Sequence, residues 1–503
     1  MIKSNGGIIG PDNVTTGGAF GSASGVFKLG EVTDLIKDSK WPTAGPQGFQ
    51  VTNSVRLNAA DNPSMAVTQG TPTNVDKYTF SVWVKRADIG AANSKIFSVT
   101  SGSTYGEEKL EFNQDDLIWR QTDTSGNNNW QRVTNRVFRD SSAWYHIVVA
   151  YDSSQGTAGN RCKMYINGVQ ETSFSGSSDP SSNQDSYTNT SGRSLKFFAL
   201  HSNLNSQNAG AYFSEMVYVD GQQLDPTSFG EENSQTGIWV PKVVTGLTFG
   251  DNGFYCEFKN SGALGADTSG NSNNLSVTNI TSLDQSTDTC STNFATINSL
   301  DNYYAQATFS NGNLTVVTPV SQYAYIRSTI AAPSGKWYAE MKITTASATD
   351  NQHGIVSDAA INSTGGVGER ANAYGYRGSG QVVSGGSVVS YTAASYTAGD
   401  IISIAMDLNN NLIFFYKNGA IQNSGTGLAI TAPASTTDGV YYFATSDNAN
   451  LGGGTYQFDW NFGSPPFAIS SGNTDTNGFG NFEYAVPSGY LSLNTKNLTT
   501  VLA

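Results

Sequence analysis

The chain has 503 residues, 38% of them apolar and only 13% charged, with 54 Gly, 24 Tyr, 25 Phe and 8 Trp. That length exceeds the roughly 250–300 residues at which one hydrophobic core stops growing, so two or more domains are expected, and the aromatic count excludes a disordered chain. A net charge of −13 with no Lys/Arg cluster excludes nucleic acid and an anionic membrane surface as partners, because both need a cationic face.

Residues 1–49 read as an extended N-terminal arm. Gly6–Gly7, Pro11, Gly17–Gly18 and Gly21 leave it little core of its own. A short helix is expected in GEVTDLIKDSKWP, where Val32, Leu35 and Ile36 fall at helical spacing and Trp41–Pro42 stops it. Such an arm buries little surface by itself, so it is expected to dock onto a partner, with disorder as the alternative. There is no apolar stretch of a secretory signal and no run of about 18 apolar residues, so synthesis and folding in a cytosol are expected, without membrane insertion.

Residues 50–250 carry recurrent strand signals. In Tyr78–Arg86, Phe80, Val82 and Val84 alternate with Thr79, Ser81, Trp83 and Lys85; Trp144–Asp152, Lys163–Val169 and Tyr212–Leu224 follow the same habit. Asn167–Gly168 supplies the positive φ angles of a tight hairpin. Apolar density drops over 251–292, which reads as an ordered connector pinned by Leu275, Val277 and Ile280. Strands resume over 293–470, with Gly335–Ile343, Gly399–Leu408, Asn411–Ala420 and Thr455–Gly463, and 471–503 reads as a C-terminal tail. WYHIVVAYD…KMYINGV and DIISIAMDL…LIFFYKNGA share one logic: a strand ending in Asp, a polar loop, then an aromatic strand closing on Asn-Gly. The fold class expected is all-β, with two tandem antiparallel jelly-roll-type β-sandwiches behind the arm.

At these residues the chain resembles known families. Tyr78 to about Leu224, with SVWVKR, WYHIVVAYD and MYINGV, is similar to the laminin-G/concanavalin-A-like jelly roll. Asn293 to Phe467, with GKWYAEMKI, GDIISIAMDLNNNLIFFYKNGA and NFGSPPF in order, resembles a SPRY sandwich. Val219–Lys242, Asn252–Asn274 and Val486–Leu498 look like segments of tailed-phage fibre and tail proteins, as do SNGGIIGPDN and Ala23–Val32. The resemblance implies a virion structural protein, a tail fibre, spike or other appendage. It would assemble with other virion proteins through its arm, form a homo-oligomer with a trimer favoured, and recognise host surface glycans. The alternatives are a free carbohydrate-binding protein and a glycan-cleaving enzyme.

No catalytic residues are assigned. Glycoside hydrolysis needs two carboxylates flanking the scissile bond, and the nearest cluster, Glu107, Glu108, Glu111, Asp115 and Asp116, reads as a solvated turn. His146, His201 and His353 lie far apart, with packing or hydrogen bonding expected of His146. No metal site is assigned either; calcium is kept open through Asp152, Asp220 and Asp225 at a sandwich rim. Cys162, Cys256 and Cys290 read as buried thiols, with a Cys256–Cys290 bridge as the alternative. For a glycan, aromatic faces and amides are needed. LIWRQTDTSGNNNWQR offers Trp119, Arg120, Asn128, Asn129 and Trp130, and ANAYGYRGSG offers Tyr374, Tyr376 and Arg377. Trp119 is expected in the core, leaving Trp130, Asn128, Asn129, Tyr374, Tyr376 and Arg377 as the candidate ligand contacts.

Overall fold

A computed structural model describes residues 8–11, 24–27, 49–102, 105–201, 207–233, 236–303, 307–318, 324–345, 351–357, 365–447 and 455–502. The chain is all-β, with antiparallel sheets in two compact units; Pro46–Ser291 forms one and Thr292–Ala503 lies in the other. In the arm, Ile8–Pro11 pairs antiparallel with Ser24–Phe27. The helix expected over residues 30–42 lies outside the described residues.

The Pro46–Ser291 unit is a sandwich of two eight-stranded sheets. The first sheet runs Val169–Gln170, Cys162–Ile166, Trp144–Asp152, Lys77–Arg86, Ala211–Asp220, Ser54–Arg56, Gln285–Ser286, with Phe254–Cys256 also on Ala211–Asp220. The second runs Phe174–Ser178, Asn128–Val137, Asp116–Thr122, Glu107–Asn113, Ser94–Thr100, Ser194–Phe197, Ser64–Thr68, Ser276–Thr278. Phe80, Val82 and Val84 point between the sheets, where Phe80 meets Phe97 and Phe197 and Tyr78 meets Trp119, Tyr151 and Tyr218. Asn167 at φ 49° and Gly168 at φ 80° make the expected hairpin turn.

The opposite face of Lys77–Arg86 is buried as well. Trp83 stacks on His146 with ring centroids 4.7 Å apart, and His146 stacks on Trp239 at 5.9 Å. Phe229, Val219 and Tyr255 close an apolar layer beside them. The stretch 251–292, read from sequence as a connector, supplies three strands to these sheets: Phe254–Cys256, Ser276–Thr278 and Gln285–Ser286.

In the second unit a seven-stranded sheet runs Ile297–Tyr303, Ala324–Ala332, Tyr441–Asp447, Asn351–Val356, Ala373–Arg377, Val382–Ser384, Ser387–Val388. The path of the other sheet runs Thr308–Ser310, Thr315–Val317, Gln457–Asn461, Lys336–Thr345, Ile401–Asp407, Leu412–Lys417, Ala420–Ile421. Trp337, Met341, Ile404, Phe415, Phe458 and Trp460 fill its core. The stretch 471–503 is part of this core: Leu491–Ser492 pairs in parallel with Lys336–Thr345, and Leu491, Leu493 and Leu498 are buried. Leu498 sits on the helix Thr495–Leu502, whose Asn497 N–H donates to Asn494 Oδ1 at 2.9 Å.

Candidate functional site

Burial removes three of the six residues chosen from sequence as ligand contacts. Trp130 is 0% exposed, because Asn128–Val137 is a strand and its alternation turns Trp130 into the core, 4.9 Å from the Trp119 ring. Tyr376 is buried too: its hydroxyl donates to Ala394 O and its ring meets Tyr396 and Phe415. Tyr374 is buried, with its hydroxyl accepting from Thr431 N at 2.8 Å. The glycines around Tyr374 and Tyr376 serve close backbone approach; a Cβ on Gly375 would clash with the Val367 carbonyl oxygen. Arg377 is half-buried and paired with Glu369. Asn128 and Asn129 are exposed, donating to Gln131 Oε1 at 2.9 Å and Gln121 Oε1 at 3.1 Å. Trp119 is in the core, as expected.

His146 has the packing and hydrogen-bonding role read for it. Trp239 Nε1–H can only donate, and lies 2.9 Å from His146 Nδ1, so the ring proton is on Nε2 and is shared with Ser81 Oγ at 2.9 Å. That is the reverse of the arrangement that activates a serine. Burial holds both His146 and His353 down to about 3.

The three calcium candidates already serve as acceptors. Asp220 takes hydrogen bonds from Thr73 N (2.7 Å), Asn252 N (3.2 Å), Asn74 N (3.3 Å) and Asn189 Nδ2 (2.5 Å). Asp152 takes Ser154 N at 3.0 Å and Gln155 Nε2 at 2.7 Å and pairs with Lys77. Asp225 caps the turn Pro226–Ser228 through Thr227 N at 2.9 Å. Among the described residues no group of three or more His, Cys, Asp or Glu side chains is placed to hold a metal ion. All three cysteines are free thiols.

The carboxylate cluster read as a solvated turn is instead the strand Glu107–Asn113, with Glu108 and Glu111 buried. Glu108 points inward, where Tyr78 Oη (2.5 Å), Tyr187 N (2.8 Å) and Ser186 Oγ (3.1 Å) donate to it. Glu107, Lys109 and Glu111 point outward with Arg120, since Leu110 and Trp119 fill the core.

This outer face of the second sheet is organised in rows across the strands. One row reads Ala66, Lys196, Ser98, Lys109, Arg120, Gln131, Ser178, each opposite the next. It holds three cations and no carboxylate. The row beside it reads Lys95, Glu111, Ile118, Val133, Gly176. On the other side Thr100 faces Glu107, whose N–H donates to Thr122 Oγ1 at 3.1 Å. Lys109 Nζ bridges Glu107 at 2.5 Å and Glu111 at 3.0 Å, and Lys95 pairs with Glu111. Burial pushes the Glu107 carboxyl up, but His201, Lys109 and Lys95 outweigh it and hold it at about 2. Burial brings the Lys95 ammonium down to about 8 against the pull of Glu111. The two carboxylates are thus balanced by Lys95 and Lys109, and the charges of Arg120 and Lys196 remain.

Residues 58–201 match the model of the concanavalin A-like lectin/glucanases superfamily, and residues 336–445 match that of the SPRY domain. The chain carries a concanavalin A-like domain and a SPRY domain. No curated protein matches the chain. Among solved structures it is similar to the SPRY domain of human HERC1, at 15% identity over 33% of this chain and 96% of that one, TM-score 0.27. It is also similar to domains LG4-5 of the mouse laminin alpha1 chain, at 10% identity over 84% and 90%, TM-score 0.28. A third is the heptameric SAP-like pentraxin from Limulus polyphemus, at 16% identity over 37% and 75%, TM-score 0.25.

In the concanavalin A-like domain, sequence reasoning named Arg120 but passed over Lys196, Lys109 and Gln131. The signal available was alternation alone: Glu107, Lys109 and Glu111 at i, i+2 and i+4 share a face once a strand is assumed.

Proposed function

We propose that this chain is a virion structural protein of a tailed phage, a fibre, spike or other appendage, that assembles through its N-terminal arm and binds host surface glycans through its sandwich domains. One observation carries the binding half. On the outer face of the concanavalin A-like domain, Glu107 and Glu111 are tied to lysines, leaving cationic side chains for a ligand and no carboxylate pair disposed to flank a glycosidic bond. The reading is therefore non-enzymatic. The tail-protein-like segments Val219–Lys242, Asn252–Asn274 and Val486–Leu498 support the virion half. On this reading the protein is made in the host cytoplasm, forms a homo-oligomer (a trimer by preference), and engages neither nucleic acid nor membrane. Among the described residues no helix is long and apolar enough to cross a membrane.

Deleting the residues before Gln50 tests the assembly half. The truncated chain is expected to fold and to be missing from particles; normal incorporation would refute the anchor. Native mass measurement is expected to give a trimer. Host polysaccharide incubated with the protein is expected to release no product, and release of oligosaccharides would favour the glycan-cleaving alternative. Glycan binding by a protein absent from particles would favour the free lectin-like alternative.

A further inference from the structure

We propose that Lys85 and Asp288 join in an amide (isopeptide) bond once the Pro46–Ser291 unit has folded, a covalent cross-link that the chain makes in its own interior. The proposal stands on the geometry of this pair and needs neither the virion reading nor the glycan reading.

Lys85 Nζ lies 2.8 Å from Asp288 Oδ2, and both side chains are 1% exposed. Lys85 projects from the outer face of the first sheet, where Trp83, Trp144 and Tyr212 form a buried aromatic cluster. Its Nζ stands 5.3 Å from the centre of the Tyr212 ring. Strand pairing fixes this arrangement, since Lys85 is opposite Trp144 on one side and Tyr212 on the other. Asp288 is held through its backbone: Ser54 Oγ donates to its carbonyl oxygen at 2.6 Å, and its N–H donates to Ser286 Oγ at 3.1 Å. Trp144 Nε1–H donates to the other carboxylate oxygen, Oδ1, at 3.2 Å.

Two full charges in such surroundings lose their hydration, and a buried ion pair adds little stability over packed apolar residues of the same volume. Moving one proton along the hydrogen bond, from Nζ to Oδ2, leaves an amine and a carboxylic acid, and a dry apolar site favours that neutral pair. The amine is then already beside Cγ, and this proximity replaces the encounter that the reaction needs in solution. As the Nζ–Cγ bond forms, Oδ1 takes up the negative charge, and the indole N–H already bonded to it holds that charge. A proton passes from the nitrogen to the Oδ2 hydroxyl, the Cγ–Oδ2 bond breaks, and Oδ2 leaves as water. One amine and one acid thus give one amide and one water, and the balance calls for no further reactant. The Lys95–Glu111 pair, equally buried, is less suited: Lys109 also bridges Glu111, and two ammoniums keep a carboxylate ionised.

The two residues are 203 positions apart. Lys85 stands on an interior strand of the first sheet, and Asp288 follows Gln285–Ser286, the last strand in the sheet's path. A cross-link here ties the end of the unit to its middle. Tension applied at the chain ends then passes through one side-chain bond and leaves residues 86–287 unloaded.

The test is the intact mass of the purified full chain under denaturing conditions, followed by peptide mapping. The chain is expected to be lighter than its sequence mass by one water. Trypsin is expected to spare Lys85 and to release residues 78–86 joined to residues 260–327. Lys85→Arg keeps the positive charge, but its guanidinium stays protonated and does not attack. That variant is expected to fold, to show its full sequence mass and to melt on the order of 10 °C lower. Asp288→Ala is expected to show its full sequence mass as well. A wild-type chain at its full sequence mass would overturn the proposal and leave an ordinary ion pair. A water lost within a single peptide, as in a succinimide, or a loss that persists in Lys85→Arg, would overturn it too.

Discussion

Glu215 sits in a β-bulge of Ala211–Asp220 with φ at 49°, a left-handed conformation that a non-glycine residue adopts under strain. Burial raises its carboxyl to about 7, against the hydrogen bond that Tyr255 Oη donates and with Glu257 adding to the rise. The folded state therefore holds this proton up to about pH 7, whereas the unfolded chain releases it above about 4.5. Stability from this group is present at acid pH and lost as pH rises from about 4.5 through about 7. Glu215→Gln mimics the protonated form. Relative to wild type it is expected to be more stable at pH 8 than at pH 4.5, by roughly 2–3 kcal/mol, as read by urea unfolding at both pH values. A difference independent of pH would mean that the carboxyl titrates normally. Nothing in the local sequence AYFSEMVYVD marks this residue, since an alternating strand reading assigns Glu215 to a face and leaves the bulge unseen.

The strands show which part of the fold was legible and which was not. Alternation identified the core side of Lys77–Arg86, and Asn-Gly identified the hairpin turns at Asn167–Gly168 and Asn418–Gly419, all four residues having positive φ. What alternation could not say was that the second face of Lys77–Arg86 is also covered, because Trp239 arrives from some 150 residues along the chain. Two glycines with the same φ separate these effects. Gly90 (φ 80°) has open space where a Cβ would stand, whereas a Cβ on Gly168 (φ 80°) would run into the ring of Trp239. Gly90→Ala is expected to destabilise by about 1–2 kcal/mol, the left-handed penalty alone. Gly168→Ala is expected to cost several kcal/mol and to shift the tryptophan fluorescence; equal losses would show that Trp239 yields without penalty. Lys109→Ala is expected to cost about 3–5 kcal/mol by urea unfolding, since it strands Glu107 and Glu111 with one buried cation between them fewer. A loss below about 1 kcal/mol would mean that the rows are screened by water.

At the scale of the molecule, the two sandwiches draw on chain beyond the family matches. A fragment 50–250 lacks Phe254–Cys256 and Gln285–Ser286, which pair with Ala211–Asp220 and Ser54–Arg56. It also lacks Asp288, which pairs with buried Lys85. Residues 46–291 alone are expected to melt as one cooperative unit, and 50–250 to be unfolded or aggregated. The fragment 292–503 is expected to fold and 293–470 to fail, for want of Leu491, Leu493 and Leu498 in its core. Circular dichroism melts of the four fragments check this, and a stable 50–250 fragment would return 251–292 to the status of a linker.

The sequence by itself determined the class and the count: all-β, two cores, strand faces set by alternation and turns set by Asn-Gly. Those properties are local, because a side chain's parity on a strand and the positive φ of Asn and Gly depend on near neighbours. Only the tertiary structure decided which polar residues are inside. Trp130 and Tyr376 offer the aromatic faces a glycan needs, yet both are core residues, since burial depends on what other strands lie across them. The row of Lys196, Lys109 and Arg120 is assembled from strands about 90 residues apart in sequence at the extremes, and only the sheet register places these cations in one row, with Ser98 between Lys196 and Lys109.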